Sequence, residues 1–236
     1  MMIKNGILYL LPVTLGESAY DQVIPIYNNK IVQEIDVFIV ENIKTARRFI
    51  KRVAPEKQID DLVFYEINKR TNMDMLPTFL KPIFEGKNIG LISDAGCPGV
   101  ADPGADVVAL AHENNIKVVP LVGPSSLLLS LMASGFNGQS FCFNGYLPKE
   151  QKDRVRKLKE LERIANAQKQ TQLFIETPYR NQHVFDDLLL NCNPSSKLCI
   201  AVDITLPSEQ ILTKTIAEWK NFKIDLTKRP CVFLIG

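Results

Sequence analysis

The chain has 236 residues, of which 46% are hydrophobic and 23% charged, and its formal net charge is +2. These values are typical of a soluble globular protein and argue against a disordered tail, a fibre or a short sequence repeat. Because the molecule is nearly neutral, any contact with nucleic acid must depend on local basic surfaces.

The first half repeats a short apolar run, a polar or glycine-containing turn and a helical stretch. This alternation predicts a parallel β-sheet flanked by helices. Each predicted strand is nearly continuous in apolar residues, as expected for strands covered on both faces. The predicted strands are residues 7–11, 37–40, 63–65, 89–92 and 118–122. Because ligands of parallel α/β sheets bind at the carboxyl ends of the strands, the segments that follow them are candidate ligand loops.

Helix signals agree with this interpretation. Asp102 is predicted to cap a helix that has Pro103 in its first position. The run Gly123–Pro124–Ser125 opens a second helix, which is apolar on nearly every side and is therefore expected in the interior. Thr177 and Pro178 resemble the start of a third helix, which runs to residue 190.

The second half contains predicted strands at 141–143, 173–175, 198–202 and 232–235. The sequence therefore predicts two α/β domains, residues 1–122 and 123–236, with a cleft between them.

Several kinds of site lack support. The five cysteines form no CxxC pair and only two histidines are present, which argues against zinc, a disulfide framework or a histidine triad. Glycine motifs of dinucleotide sites, P-loops and nucleophile elbows are absent.

Residues 118–148 carry no charge, but prolines and glycines interrupt the apolar runs before they reach the length of a membrane span. The N-terminal apolar run is too short for a signal peptide, so we expect a cytoplasmic protein. The cysteine and histidine pattern leads us to expect no metal site.

The densest motif is residues 91–104, where three glycines and two prolines follow a predicted strand. One interpretation is a tight strand-to-helix turn. The other is a ligand loop, in which Asp94 holds a ribose hydroxyl or an amino group while Ala95 and Gly96 let the ligand approach the main chain.

These residues resemble the tetrapyrrole methylases, and within that family the branch of bacterial 16S ribosomal RNA cytidine 2′-O-methyltransferases. The resemblance covers nearly the whole chain. Its runs are L-Y-L-L-P (8–12), E-N (41–42), S-D-A-G-C-P-G (93–99), D-P-G (102–104), G-P-S (123–125), G-Y-L-P (145–148) and E-T-P-Y-R (176–180).

The resemblance implies a two-domain fold with a parallel-sheet N-terminal domain and a mixed-sheet C-terminal domain. It also implies S-adenosylmethionine in the cleft between the domains, and a homodimer. The positions that match the family's cofactor contacts are Pro12, Asp94, Ala95, Gly96, Val100, Ser125, Ser126, Ile175, Ala201 and Val202.

Methyl transfer to a hydroxyl requires alignment of the acceptor oxygen and benefits from a base, or from a cation that stabilises the developing alkoxide. The candidates at strand and loop ends are Glu41, Glu66, Lys149 and Arg180, each with the alternative of an ordinary surface charge.

Two basic helical stretches are candidate contacts with the phosphates of the small ribosomal subunit, although each could simply be a solvated face. Their predicted RNA-binding residues are Lys44, Arg47, Arg48, Arg154 and Arg156.

The expected function is therefore methylation of a ribose 2′-hydroxyl in small-subunit ribosomal RNA. Three acceptor-side runs, at residues 40–47, 65–69 and 202–209, depart from the family pattern. The alternatives are a relative that methylates another RNA or a small molecule, and a catalytically silent protein that binds S-adenosylmethionine or RNA.

Overall fold

The structure is a computed structural model that describes residues 5–68 and 70–236. The chain divides into two compact units, of which the first ends at Ser125 and the second comprises Ser126–Gly236. The sequence predicts this boundary after residue 122.

The first unit is built on a five-stranded sheet in which every pair of neighbouring strands is parallel, in the order β3-β2-β4-β1-β5. Its strands are β1 (Ile7–Leu10), β2 (Val37–Val40), β3 (Val63–Glu66), β4 (Ile89–Ile92) and β5 (Lys117–Pro120). Its helices are α1 (Tyr20–Val23), α2 (Ile26–Glu34), α3 (Ile43–Val53), α4 (Leu76–Phe79), α5 (Lys81–Phe84) and α6 (Gly104–Glu113), with 3-10 turns at Ile59–Asp61 and Met73–Met75.

Helices cover both faces of this sheet, as β2 shows. Val37 and Ile39 belong to one buried apolar cluster, whereas Phe38 and Val40 belong to the cluster on the opposite face. Because successive side chains of a strand point to opposite faces, a strand buried on both sides needs an unbroken apolar run. All five predicted strands of the first half are confirmed, with ends that differ by at most one or two residues.

The second unit contains a mixed sheet in the order β6-β7-β10-β8-β9, where β6 and β7 are parallel and the other pairs antiparallel. Its strands are β6 (Phe141–Tyr146), β7 (Thr171–Ile175), β8 (Lys197–Val202), β9 (Gln210–Thr215) and β10 (Cys231–Ile235). Its helices are α7 (Ser126–Ser134), α8 (Gln151–Gln168), α9 (Asn181–Asn191) and α10 (Ile216–Trp219). The four predicted strands are confirmed, whereas β9 was missed.

The core of the second unit lies between the sheet and helices α8, α9 and α10. Phe174 and Phe233 stack with their ring centroids 5.5 Å apart. The fully buried Trp219 donates its indole N–H to the carbonyl of Leu198 at 2.9 Å. A buried tryptophan with a satisfied N–H stabilises a core without an unpaired polar group.

Three predictions about helices need correction. Helix α7, expected in the interior, leaves Met132 79% exposed. Helix α9 begins at Asn181, because residues 177–180 form a turn closed by a hydrogen bond from the amide of Arg180 to the carbonyl of Thr177. Helix α6 begins at Gly104, one residue after the predicted start. Within the described ranges, no helix combines the length and the apolar character needed to cross a bilayer.

Candidate active site

The segments that follow β1, β4 and β5 meet at the carboxyl edge of the parallel sheet. The amide of Val13 donates to the carbonyl of Gly96 at 2.9 Å. Gly123 lies directly against Pro12, and a Cβ atom built on Gly123 would be only 2.2 Å from Pro12 Cβ. The first unit therefore brings three of the predicted ligand loops together, and residue 123 must be glycine for its backbone to approach the ring of Pro12 so closely.

The loop between β4 and α6 is closed by its own polar groups. The carboxylate of Asp102 accepts hydrogen bonds from the amides of Gly99 (2.9 Å) and Gly104 (2.7 Å). Gly96 and Gly99 have φ angles of +71° and +83°, which glycine adopts without strain. A Cβ on Gly96 would lie 3.1 Å from the side chain of Leu15. Gly96 and Gly99 are thus required by the strand-to-helix turn itself, which is one of the two interpretations of this motif.

Cys97 in this loop is a structural thiol. Burial raises its pKa above the ordinary value, which favours the protonated form at neutral pH. Its Sγ atom lies 3.3 Å from the carbonyl oxygen of Pro124, to which it donates. The loop therefore offers no activated thiolate for nucleophilic chemistry.

Asp94 is the point at which the predicted cofactor and catalytic residues come together. Its Oδ1 atom accepts a hydrogen bond from the hydroxyl of Thr45 at 2.7 Å, and its amide donates to Glu41 Oε2 at 3.1 Å. Thr45 lies in the first turn of α3, whose N-terminus is capped by the Asn42 side chain. The carboxylate of Asp94 is exposed, so it is both held in place and accessible to a ligand.

A cavity of about 320 Å³ opens beside Asp94, entirely within the first unit. Its walls come from the loop after β1, from one face of α3 and from the end of β4. It is lined by Val13, Thr14, Leu15, Gly16, Glu17, Thr45, Ala46, Arg48, Phe49, Arg52, Ile92, Ser93 and Asp94. Of the residues predicted from sequence, Asp94 and Arg48 line it, whereas Thr45, Phe49 and Arg52 had not been identified as site residues.

The other predicted cofactor residues of the first unit do not line this cavity. Pro12 and Gly96 are buried in backbone contacts, Ala95 and Val100 are exposed, and Ser125 is partly buried. The exposed residues Ala95 and Val100 leave main-chain groups accessible, which suits a ligand recognised through the backbone.

In the second unit, Ile175 and Ala201 end up side by side. Both pair with Val232 of β10, so the three residues form one row across the sheet and their side chains share a face. The adjacent residue Val202 points to the opposite face and is part of the buried core. Only its main chain is therefore available to a ligand. Ser126 is the first residue of α7.

The remaining catalytic candidates differ in how firmly they are held. Glu66, at the end of β3, is exposed and accepts a hydrogen bond from Asn68 Nδ2 at 2.9 Å. Lys149 is exposed in the second unit. Arg180 forms an ion pair with Glu176, whose side chain is fully buried. The charge of Arg180 is therefore compensated locally, which reduces its capacity to stabilise an alkoxide.

Helix α3 carries the predicted basic surface. Its inward face contains Ala46, Ile50 and Val53, all buried, and its basic side chains lie on the opposite side. Arg47 pairs with Asp60 at the surface. Arg48 is exposed and, among the described residues, has no partner for a side-chain hydrogen bond or ion pair.

The prediction for Arg154 is wrong, because this side chain is buried. Arg154 occupies the inward stripe of α8 and is only 6% exposed. Its Nε atom donates to Asp187 Oδ2 at 2.7 Å, and Nη1 donates to the carbonyl of Lys149 at 2.7 Å. Arg156 is exposed as predicted and pairs with Asp153 one turn earlier. Arg154 therefore belongs to the core of the second unit and is unable to reach RNA phosphates.

Among the described residues, no three histidine, cysteine, aspartate or glutamate side chains are grouped closely enough to hold a metal ion.

No protein-family model matches the chain. Sequence comparison nevertheless finds clear relatives. The chain is 30% identical over 219 residues to the ribosomal RNA small subunit methyltransferase I of Bacillus subtilis, covering 92% of this chain and 70% of the relative.

Solved structures share the fold at lower sequence identity. The methyltransferase CobJ matches with a TM-score of 0.65 and 16% identity over 98% of this chain and 94% of its own. The uroporphyrin-III C-methyl transferase of Thermus thermophilus, complexed with S-adenyl homocysteine, matches with a TM-score of 0.57 and 16% identity over 98% and 97% of the two chains. The similarity includes both units of the chain.

Proposed function

Because the chain belongs to the ribosomal RNA small subunit methyltransferase I family, we propose that it transfers a methyl group from S-adenosylmethionine to a ribose 2′-hydroxyl of small-subunit ribosomal RNA. The observation that carries this proposal is the 30% identity to the Bacillus subtilis relative along 92% of the chain. A neighbour of the same fold is complexed with S-adenyl homocysteine, the product form of this cofactor, which supports the choice of methyl donor.

The residues of the strand-end loops fit such a cofactor. Asp94 presents an exposed carboxylate for hydroxyl or amino groups, and Ala95 is a small exposed residue beside it. Thr45 and Glu41 hold Asp94 through a side-chain and a main-chain hydrogen bond. We also assign main-chain contacts with the cofactor to the other matched positions of the first unit, Pro12, Gly96, Val100 and Ser125.

When bound, S-adenosylmethionine supplies a methyl group activated by a positively charged sulfur. The protein aligns the acceptor oxygen with this methyl group and accommodates the proton that the hydroxyl releases. Of the four catalytic candidates, Glu41 contacts Asp94, and we assign it the role of proton acceptor. Glu66 instead accepts hydrogen bonds from Asn68 Nδ2 and from the amide of Ile43.

The test is transfer of a radiolabelled methyl group from S-adenosylmethionine to small ribosomal subunits isolated from a strain that lacks this enzyme. We expect label in the RNA at one nucleotide. The phosphodiester bond that follows this nucleotide should resist alkaline hydrolysis, because a 2′-O-methyl group removes the hydroxyl that attacks it. Large subunits are the matched control and are expected to remain unlabelled. Label confined to small molecules, or binding of RNA and cofactor without any transfer, would contradict the proposal.

We further infer that the chain forms a homodimer in the cytoplasm, where its ribosomal substrate is found. Helix α7 supports the dimer, because Met132 and Leu128, one turn apart, are 79% and 52% exposed. Apolar side chains exposed on one helix face contribute to the contiguous apolar surface that favours association. We expect light scattering to give twice the mass of one 26.6 kDa chain. A monomer at micromolar concentration would exclude a stable dimer.

A further inference from the structure

The cavity beside Asp94 links two predictions that the sequence made separately. Arg48, predicted to contact RNA, lies on its α3 wall, and Asp94, predicted to contact the cofactor, lies at the end of β4 on another wall. None of the other positions matched to the cofactor lines this cavity. The cavity therefore adjoins the predicted cofactor loop, but apart from Asp94 it is lined by different residues.

The α3 wall of the cavity is cationic. Arg48 is exposed and has no side-chain hydrogen bond or ion pair to any described residue, so its guanidinium is available to a ligand. Arg52 is held in place by a hydrogen bond to the carbonyl of Ser18 and by the ring of Tyr20, whose centroid is 5.8 Å from the guanidinium carbon. Two guanidinium groups one turn apart, one free and one fixed, suit a phosphate group.

The same cavity has an aromatic and apolar surface. Phe49, between the two arginines in sequence, lines the wall and is only partly buried. Val13, Leu15 and Ile92 add apolar surface. An aromatic ring beside a cationic rim is the combination with which proteins bind unpaired bases and their phosphates.

The cavity also carries hydrogen-bond acceptors. Glu17 and Asp94 line it, and Asp94 is held against α3 by the hydroxyl of Thr45 at 2.7 Å. Because carboxylates repel phosphate, the two arginines are the positions that suit an anionic group, whereas the carboxylate of Glu17 suits a ribose hydroxyl or a base amino group. The volume of about 320 Å³ is at the lower end of the range for ligand pockets, which favours a single small unit over a macrocycle.

We infer that this cavity binds one unpaired nucleotide of the acceptor RNA, with its base against Phe49 and its phosphate at Arg48 and Arg52. This inference rests on the proposed function, since it names the part of that substrate held beside the cofactor loop. A nucleotide seated there is recognised as single-stranded, because a base within a duplex is stacked on both faces and has no face free to pack against Phe49. The cavity thereby selects an unpaired or flipped-out position of the ribosomal RNA.

The test compares three variants of the full chain with the wild type: Arg48→Ala, Phe49→Leu and, as matched control, Lys51→Ala. Lys51 lies on the same helix and carries the same charge, but it does not line the cavity. Leucine at position 49 keeps an apolar side chain in the half-buried position while removing the ring. Three quantities are measured for each protein: affinity for small subunits as a function of salt, affinity for S-adenosylhomocysteine by calorimetry, and methyl transfer.

For Arg48→Ala we expect about tenfold weaker binding of subunits. We also expect the slope of the logarithm of the binding constant against the logarithm of salt concentration to become shallower by about one, because one phosphate contact is lost. For Phe49→Leu we expect a loss of about tenfold with unchanged salt dependence, because stacking is not ionic. Affinity for S-adenosylhomocysteine stays at the wild-type value in both, and Lys51→Ala behaves as wild type throughout.

Equal RNA affinities for the wild type, Arg48→Ala and Lys51→Ala would overturn this inference and leave the proposed function intact, provided that the wild type still methylates small subunits. A loss of S-adenosylhomocysteine binding in Arg48→Ala would assign the cavity to the cofactor and also overturn it. Failure of the wild type to methylate small subunits would remove the proposed function itself.

Discussion

Replacing Arg154 with alanine is expected to lower the free energy of unfolding of the second unit by about 3–5 kcal/mol. The side chains of Arg154 and Asp187 are 8% and 3% exposed, and their atoms Nε and Oδ2 are 2.7 Å apart. Asp187 also accepts a hydrogen bond from Gln151 Nε2 at 2.8 Å. Removing the guanidinium leaves a carboxylate buried without its counter-ion, which costs far more than the intact pair contributes.

The measurement is equilibrium unfolding in urea followed by tryptophan fluorescence. Trp219 is the only tryptophan in the sequence and is fully buried in the second unit, so its emission reports on that unit. The matched control is Arg156→Ala, which removes the same charge from an 80% exposed side chain of the same helix. We expect a change within about 0.5 kcal/mol for the control.

A second comparison separates the stabilisation contributed by the ion pair from the cost of leaving one buried charge unpaired. The double variant Arg154→Met with Asp187→Leu replaces both charges with apolar groups and is expected to recover most of the lost stability. Unchanged stability of Arg154→Ala, together with weaker RNA binding, would restore the sequence-based role of Arg154 and contradict its position in the core.

The case of Arg154 shows where sequence patterns reach their limit. A count of basic residues predicts a cationic helix, but only the helical phase and the elements packed against the helix decide which of them faces inward. In α8 the buried residues are Arg154, Leu158, Leu161 and Ala165, spaced three or four residues apart. The arginine continues an apolar stripe, and the partner that makes its burial possible is Asp187, 33 residues away. Nothing in the local sequence identifies that partner.

Strands were likewise predictable only where the local sequence carries a clear pattern. Strands buried on both faces, such as β2 and β8, are continuous apolar runs and were predicted from sequence. Strand β9 is an edge strand with partly exposed side chains, and its sequence Q-I-L-T-K-T alternates too weakly to be distinguished from a loop. The loop at residues 91–104 was recognised by its glycines, since positive φ angles and close backbone contacts constrain residue type locally.

The composition of the site was only partly predictable. Asp94 and Arg48, which line the cavity, were predicted as site residues because they belong to conspicuous motifs. Thr45 and Phe49 were not predicted, because their place in the cavity wall depends on α3 packing beside the end of β4, a contact between segments about 50 residues apart that no local pattern encodes. The hydroxyl of Thr45 could have been suspected only from its place in the first turn of α3, at the edge where ligands bind.

Replacing Asp94 with alanine is expected to weaken the binding of S-adenosylhomocysteine by about 10- to 100-fold, because a hydrogen bond to a charged group contributes about 1.5–3 kcal/mol. The carboxylate is exposed, so the substitution removes a ligand contact without opening a cavity in the core. Calorimetry measures the dissociation constant, and Asp60→Ala is the matched control because its exposed carboxylate pairs with Arg47 and does not line the cavity.

Two further variants distinguish a binding role of Asp94 from a structural one. Asp94→Asn keeps one acceptor oxygen and the shape of the side chain, so we expect an intermediate loss. Thr45→Val removes the hydroxyl that holds Oδ1 at 2.7 Å, and we expect a smaller loss than for Asp94→Ala with no large change in stability. An unchanged dissociation constant for Asp94→Ala would show that the cofactor does not contact this carboxylate, and the loop after β4 would then be a turn only.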